Sequence, residues 1–281
     1  MTWYFYSIIA AFSAAWLITC FQKLQEKYPI DVYLFYIWIS SALILGLYSL
    51  RFDFKISGVT ALCLVAAGIS SWLGNFAYNK SITKQFNLGY VETVSSIRLV
   101  IVYCTSFIWL NAEIEIIKLI ALFGVVFGIF LVVGINNKPI KSSNNGWVAW
   151  SLISGIMFAL LAIANRYANE YGLDPSQAIP IWLFIASLFY GSSSFVKRKS
   201  FRLMGNMKIL FLAIVLAICH NLALFQAYKS APNLAYPASI NNSRLVILYI
   251  FSTFIGSSKV KFKKALGIVI VFLSIALLFN R

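Results

Sequence analysis

The sequence predicts an all-α polytopic membrane protein whose ten transmembrane helices form two inverted five-helix repeats. The prediction rests on composition, on the spacing of apolar segments and on an internal repeat. Of the 281 residues, 61% are hydrophobic and only 11% are charged, which is more apolar surface than one soluble core can bury. The apolar residues form continuous blocks instead of alternating with polar ones, so the spans are expected to be helices and not barrel strands.

Apolar segments recur between polar breaks along the whole chain, and about 20 residues suffice to cross about 30 Å of hydrocarbon as a helix. The first segment has no basic residue before it and no clear cleavage site after it, so we expect it to be retained. The ten predicted spans lie near residues 2–21, 32–50, 57–78, 88–110, 117–135, 146–165, 176–196, 207–228, 233–256 and 264–279.

An internal repeat divides the chain into two halves. Arg-Leu-Val-Ile at 98–101 recurs at 244–247, and Asn-Leu-Gly-Tyr at 87–90 corresponds to Asn-Leu-Ala-Tyr at 233–236, both with an offset of 146 residues. An odd number of helices in each copy would make the second copy enter the membrane from the opposite side. The repeat therefore predicts inverted halves that meet near the middle of the membrane.

The repeat also sets the predicted domain boundaries. A polar segment rich in Asn, Lys and Ser at 136–145 is the expected linker, between a first repeat at 1–135 and a second at 146–281. Weaker matches place Asp31 and Asp174 at equivalent positions, just before the second and seventh spans. Both aspartates are candidates for helix N-caps.

The distribution of basic residues predicts the orientation. Of the 23 Lys and Arg residues, 15 lie in the connections 1–2, 3–4, 5–6, 7–8 and 9–10, and 6 lie on the opposite side. The positive-inside rule then places these odd-numbered connections in the cytoplasm and both termini outside, which is the expected arrangement in a bacterial inner membrane. The basic runs are short and adjacent to the membrane, so the net charge of +15 indicates contact with lipid headgroups and not with nucleic acid.

Arg98 and Arg244 lie at equivalent positions inside apolar spans, where an arginine costs about 2.5–3.5 kcal/mol on insertion scales. A guanidinium is suited to bind a carboxylate or phosphate in a cavity, because its planar fork donates parallel hydrogen bonds. The alternative is that both arginines anchor the helices by bonding carbonyls or reaching toward water. The neighbouring candidates, three residues before and five after each arginine, are Ser95, Asn241, Tyr103 and Tyr249.

Other polar and aromatic side chains within the spans are further candidates for a cavity. Glu92, whose repeat counterpart is Ala238, is a candidate coupling carboxylate, or else an ordinary solvated or salt-bridged residue whose partner would come from another helix. His220 is either a cavity group or a structural hydrogen-bonding residue. The remaining candidates, which could instead be core or interfacial residues, are Trp16, Trp38, Trp72, Trp182, Asn75 and Asn79.

The residue inventory argues against an enzyme and against a bound cofactor. The chain has one histidine, eight acidic residues and no Cys-x-x-Cys pattern, so neither a metal site nor an acid–base pair is expected. A nucleotide-binding glycine-rich loop is also missing from the sequence, which argues against direct ATP drive. The four cysteines lie in or beside apolar spans, where packing is the simplest interpretation.

The helix count, the short loops, Glu113 after the fourth span and the glycines Gly124, Gly128 and Gly134 in the fifth resemble the drug/metabolite transporter superfamily of EamA type. The resemblance covers the whole chain, and Lys259 occupies the position equivalent to Glu113 in the second copy. It implies a ten-helix fold and the movement of small organic solutes across a membrane.

Together these features predict a secondary transporter that moves a small organic metabolite bearing a carboxylate or phosphate, such as an amino acid, by alternating access around a midplane cavity. Two alternatives are an exporter of cationic or amphipathic drugs or metabolites, and a membrane scaffold that transports nothing. The expected partners are the solute and the lipid bilayer. A monomer is sufficient for this activity, and a homodimer is left open.

Overall fold

The computed structural model describes residues 3–52, 56–84, 88–110, 112, 115–134, 146–198, 206–256 and 262–279. The regular structure of this part of the chain is helical. The twelve α-helices are α1 (Trp3–Gln25), α2 (Ile30–Ser49), α3 (Gly58–Lys84), α4 (Leu88–Ser95), α5 (Ile97–Leu110), α6 (Ile116–Ile129), α7 (Gly146–Glu170), α8 (Pro175–Val196), α9 (Met207–Ser230), α10 (Ala235–Asn242), α11 (Arg244–Gly256) and α12 (Phe262–Phe279). A π-helical turn, Phe130–Gly134, continues α6.

Each of the ten predicted spans corresponds to helix, and two of the spans are broken. The fourth consists of α4 and α5 with a break at Ser96, and the ninth consists of α10 and α11 with a break at Ser243. Beyond each break the Leu99 amide donates to the Ser96 carbonyl and the Val246 amide to the Ser243 carbonyl, which is the tighter 3₁₀ pattern. Both breaks therefore lie beside the arginine of the repeated motif.

The helices have the length and polarity of membrane spans. In the described ranges eight helices are long and apolar enough to cross a bilayer, when Tyr90–Trp109 is taken as one helix. A ninth, Ile116–Val132, is apolar but shorter. Large apolar side chains such as Leu62, Phe211 and Phe272 project from the bundle surface, where lipid takes the place of water. The protein is an integral membrane protein.

The main helix contacts join the first half of the chain to the second half. The most extensive are α3 with α7, α1 with α9, α2 with α8, and α6 with α12. The start of α2 contacts the end of α8, because the Asp31 carboxylate accepts a hydrogen bond from Lys197 at 3.1 Å. At the start of α6, Lys118 donates to the Leu277 and Leu278 carbonyls at the end of α12. These two pairs, α2 with α8 and α6 with α12, are therefore antiparallel.

Glycine allows α6 and α12 to approach closely. A Cβ atom added to Gly128 would lie 2.8 Å from the Gly267 carbonyl oxygen, and one added to Gly267 would lie 2.8 Å from the Gly128 oxygen. Small residues let helix backbones pack closely in membranes, where van der Waals contact is a main source of association. The glycines noted in the fifth span thus include one that forms a helix contact.

The prediction of an N-cap is confirmed for one aspartate and wrong for the other. The Asp174 side chain caps α8 by accepting from the Ser176 amide, and the Asp174 amide donates to the Gln177 side chain. Asp31 lies inside the first turn of α2, which is preceded by Pro29 without a side-chain cap. Its carboxylate, 2% exposed, instead pairs with Lys197 of the neighbouring helix end, so an interhelical partner replaces the local amide.

Two features noted in the sequence lie outside the described residues. They are the linker at 136–145 and the pair of positions Glu113 and Lys259.

Candidate functional site

A cavity of about 90 Å³ lies at the centre of the bundle, between the two halves of the chain. Nine helices line it: α1, α2, α3, α5, α7, α8, α9, α10 and α11. Both halves contribute to its lining, and Arg98 and Arg244, which are equivalent by the repeat, both reach it.

Arg98 reaches this cavity from the first turn of α5 and is only 7% exposed. Its Nε and Nη2 atoms have no hydrogen-bond partner among the described residues. The guanidinium carbon lies 5.7 Å from the centre of the Phe158 ring, a cation–π contact that stabilises the charge only in part. Because buried charges are normally paired, Arg98 presents unused donors to whatever occupies the cavity.

Arg244, at the start of α11, has a partner that Arg98 lacks. Its Nε donates to Glu92 Oε1 at 2.8 Å, and its Nη2 donates to the same oxygen. Ser95 Oγ donates to the other carboxylate oxygen of Glu92 at 2.9 Å. Glu92 is completely buried, so the pair joins the broken fourth span to the broken ninth span. The equivalent of Glu92 is Ala238, which explains why only one arginine is neutralised.

A second contact joins the two broken spans at their breaks. Asn242 Nδ2 donates to Ser96 Oγ at 3.1 Å, and the two residues are 146 positions apart. This separation equals the offset of the repeated arginine motif. Residues equivalent by the repeat thus touch each other at the centre of the bundle. The neighbouring Asn241 lines the cavity, and its Oδ1 is buried without a partner among the described residues.

His220 and Asn75 also line the cavity, and both bond to main-chain carbonyls. The His220 Nδ1 atom lies 3.0 Å from the Ala10 oxygen of α1, which links α9 to α1. The Asn75 amide donates to the Ser71 carbonyl one turn earlier in α3.

Two tryptophan candidates, Trp16 and Trp72, lie outside the lining of this cavity. Trp16 is 42% exposed on the bundle surface, where its ring lies 5.5 Å from that of Phe251. Residues 14, 17, 18 and 21 form the cavity side of α1, and Trp16 is rotated away from that side by the helical turn of 100° per residue. Trp72 stacks on Phe189 of α8 at 4.8 Å, so it packs between helices.

Asn79, Tyr103 and Tyr249 are also placed away from the cavity lining. Asn79 accepts a hydrogen bond from Tyr33 at 3.2 Å, and the Tyr249 ring lies 4.5 Å below the Lys264 ammonium. Each tyrosine follows its arginine by five residues, which rotates it by about 140° from the arginine side. Of the three candidates on α3, Trp72, Asn75 and Asn79, Asn75 alone is among the described lining residues.

Several lining residues were not predicted from the sequence. Tyr228 of α9 and Phe158 of α7 line the cavity, and Tyr78 of α3 lies 5.7 Å below the Arg244 guanidinium. A signal existed for the tyrosines, because the repeated segments 76–81 and 225–230 each contain one. Phe158 carries no signal of this kind, since an apolar ring in an apolar helix reads as core.

The arrangement suits the binding of a solute. Within the described residues, no group of three or more His, Cys, Asp and Glu side chains could hold a metal ion. The cavity instead combines a buried guanidinium with ring faces and amide groups, as small-molecule sites usually do.

The described helices thus form a membrane bundle around a central cavity that two arginines line. Residues 1–134 match the model of the EamA-like transporter family, which confirms the resemblance to EamA-type drug/metabolite transporters. One solved structure, described only as "Crystal structure of protein", is similar to the chain with a TM-score of 0.76 and 9% sequence identity. The alignment covers 99% of this chain and 97% of that one, so the similarity in fold extends over both halves. No curated protein matches the chain significantly.

Proposed function

We propose that the protein is a secondary transporter for a small organic anion, carrying a carboxylate or phosphate, and that it works by alternating access. The observation that supports this most strongly is Arg98, which is buried in the central cavity with two unpaired donor atoms. A guanidinium binds such groups through parallel, charge-assisted hydrogen bonds and keeps its proton. The substrate-binding residues in this proposal are Arg98, Arg244, Trp38, Asn75, His220 and Asn241.

The two halves of the chain, 1–135 and 146–281 with a linker at 136–145, form inverted repeats in this proposal. Antiparallel packing of the equivalent helices α2 and α8 supports it, as does that of α6 and α12. The first helices of the two halves, α1 and α7, are equivalent, as are the third helices, α3 and α9. The contact of α1 with α9 therefore corresponds to the contact of α7 with α3 in the other half. Inverted repeats allow one scaffold to open its central site to either side of the membrane.

Ion pairs at opposite ends of the bundle fit such a cycle. Lys197 pairs with Asp31 at 3.1 Å at one end, and Lys229 pairs with Asp174 at 2.7 Å at the other. Each aspartate begins an equivalent helix of its half. In the proposed cycle, the ion pair at one end breaks and the helices there move apart, while the ion pair at the other end keeps that end closed.

The proposed orientation rests on the basic residues of the sequence. The Lys80 ammonium lies 4.8 Å from the Trp150 ring and the Lys197 ammonium 5.6 Å from the Phe76 ring. The end of α3, the start of α7 and the end of α8 are therefore neighbours. The positive-inside rule favours a cytoplasmic location for this end and an external one for the termini, in a bacterial inner membrane.

The charge of the cavity weighs against the alternative of a cationic substrate. Its lining includes two arginines, and Glu92 is already bonded to one of them, Arg244. A cation would enter a positive site without a free carboxylate among the described lining residues. A scaffold without transport activity would need neither a polar cavity nor an unpaired buried guanidinium.

Uptake into vesicles tests the proposal. Transport of amino acids, dicarboxylates and phosphorylated metabolites is compared for the native protein, Arg98→Ala and Arg51→Ala, in which the exposed Arg51 serves as a control. We expect Arg98→Ala to weaken the apparent affinity at least about tenfold, since a hydrogen bond to a charged group contributes about 1.5–3 kcal/mol. Unchanged transport in Arg98→Ala would remove the anion-binding proposal.

The same assay tests Glu92 as a coupling carboxylate. Its position between Arg244 and Ser95 would let a proton taken up by Glu92 release Arg244. An imposed proton gradient is therefore expected to drive transport in the native protein and not in Glu92→Gln. An intact response in Glu92→Gln would exclude the coupling role.

A further inference from the structure

The described lining of the cavity carries one uncompensated positive charge. Arg98 has no carboxylate partner, whereas Arg244 is paired with Glu92. His220, which also lines the cavity, contacts the Ala10 carbonyl oxygen through Nδ1. A ligand with a single negative charge therefore balances this site, and a dianion has no second free guanidinium to bind.

A free carboxylate for an ammonium group is absent among the described lining residues. Both carboxylate oxygens of Glu92 are already occupied, since Oε1 accepts a hydrogen bond from Arg244 and Oε2 accepts one from Ser95. Its exposed fraction is 0%. A zwitterion such as an amino acid would thus place its ammonium group among rings and amides, with loss of hydration that an ion pair would otherwise offset.

The walls around Arg98 fit an apolar ligand body. Indole and phenyl rings approach the cavity from both halves of the bundle, and they outnumber the amide groups. These rings belong to Phe21, Trp38, Phe158, Trp182 and Phe225. The site therefore combines one anion contact with several flat apolar surfaces, which suits a ligand that has its charge at one end.

We propose that the cavity selects organic monocarboxylates with an aromatic or apolar body, and that Glu92 sets this specificity by occupying Arg244. The inference rests on the proposed function and narrows its substrate class. Because Ala238 stands at the position equivalent to Glu92, one arginine remains free and one does not. Amino acids and dicarboxylates are disfavoured for different reasons. For an amino acid, the described lining offers no carboxylate to pair with the ammonium group. For a dicarboxylate, it offers no second free guanidinium to pair with the additional carboxylate.

The first test compares ligands that share one phenyl ring and differ in charge. They are 3-phenylpropanoate, phenylalanine, phenylsuccinate and 2-phenylethylamine, and binding to the purified full-length chain in detergent is measured by calorimetry. We expect 3-phenylpropanoate to bind at least tenfold more tightly than each of the other three. Equal or tighter binding of any of the others, or no binding of 3-phenylpropanoate, overturns the proposal.

The second test changes the residue that occupies Arg244. In Glu92→Gln the Arg244 donors lose their anionic partner, so the affinity ratio of phenylsuccinate to 3-phenylpropanoate is expected to rise at least tenfold. The ratio is taken within one variant, so a general loss of affinity cancels. Glu170→Gln, which makes the same change in an exposed ion pair with Arg166, is expected to leave the ratio unchanged. An unchanged ratio in folded Glu92→Gln shows that Glu92 does not set the specificity; if that variant does not fold, the ligand comparison on the native chain decides alone.

Failure of this inference can be distinguished from failure of the proposed function. Arg98-dependent uptake of an amino acid or dicarboxylate, without preference for the monocarboxylate, would remove the inference and leave the transporter. Tight and selective binding of 3-phenylpropanoate without uptake of any solute would remove the proposed transport function and leave the inferred binding specificity.

Discussion

Arg98 and Arg244 occupy the same position in a repeated motif, and yet the structure gives them different roles. Arg244 is neutralised by Glu92, whereas Arg98 keeps two unpaired donors in the cavity. The difference originates six positions before each arginine, where the first half has the carboxylate of Glu92 and the second half has Ala238. One difference between the two copies of the motif thus leaves one arginine unpaired and places the other in an internal ion pair.

Replacement of Arg98 and replacement of Arg244 should change the stability of the protein differently. Arg244→Gln leaves Glu92 buried without its cation, and removal of one partner of a buried pair typically costs about 3–5 kcal/mol. Arg98→Gln removes an unpaired buried charge, so its melting temperature should equal or exceed that of the native protein. Thermal unfolding in one detergent, without ligand, measures both. A loss of stability in Arg98→Gln as large as in Arg244→Gln would contradict the assignment of Arg98 as unpaired.

At the scale of single residues, the sequence predicted the types of residue that line the cavity better than it predicted which side of each helix faces the cavity. The repeated arginines, Trp38 and Asn241 reach the cavity, whereas Trp16 and Trp72 face other helices or the bundle surface. A helix that is apolar on all sides shows no amphipathic stripe from which an inward side could be read. Residue type could be predicted, but the rotation of each helix depends on its neighbours.

Among the helices, close contact of α6 with α12 depends on glycine. In Gly128→Ala the added Cβ would lie 2.6 Å from the Val271 side chain and 2.8 Å from the Gly267 oxygen. We expect a loss of about 1–3 kcal/mol, the usual cost of overpacking a tight contact. Gly58→Ala is the matched control, because its Cβ would meet nothing within 4 Å. Equal melting temperatures for the two variants would show that α6 and α12 are not in close contact.

The N-cap of α8 makes stability depend on pH. Burial disfavours the charged Asp174, but hydrogen bonds from Lys229 and Ser176 hold the pKa of its carboxyl below the usual value. A lowered pKa in the folded state means that the cap stabilises the protein above about pH 4, the unfolded value. This contribution is lost as the pH falls through the lower folded pKa.

Asp174→Asn should therefore unfold at a lower temperature than the native protein at pH 7, and the gap should narrow at lower pH. Thermal unfolding of both proteins from pH 7 down to pH 3 measures the gap. Glu26→Gln, at an exposed position outside the cap, controls for the general effect of one fewer acidic residue. A gap that stays constant over this range would be inconsistent with the lowered pKa.

At the scale of the molecule, the distribution of basic residues along the sequence predicts how the protein inserts. A cysteine at Ser200, which lies outside the described residues, belongs to the basic connection 7–8. A cysteine at the exposed Tyr171 belongs to the connection at the opposite end. In a background without the native cysteines, an impermeant thiol reagent added to intact cells should label position 171 and not position 200. Labelling of position 200 alone would reverse the orientation.

The sequence by itself determined the class of the protein, because continuous apolar segments of sufficient length have no stable alternative to membrane helices. It also determined that the motif Arg-Leu-Val-Ile recurs at 98–101 and 244–247 inside apolar segments, since this is a property of residue order. Only the tertiary structure decided that Glu92 binds Arg244 and leaves Arg98 unpaired, and which aromatic side chains enclose the space between them. Such contacts join residues 152 positions apart, and they depend on how far each helix is rotated and displaced by packing, which no local pattern of residues records.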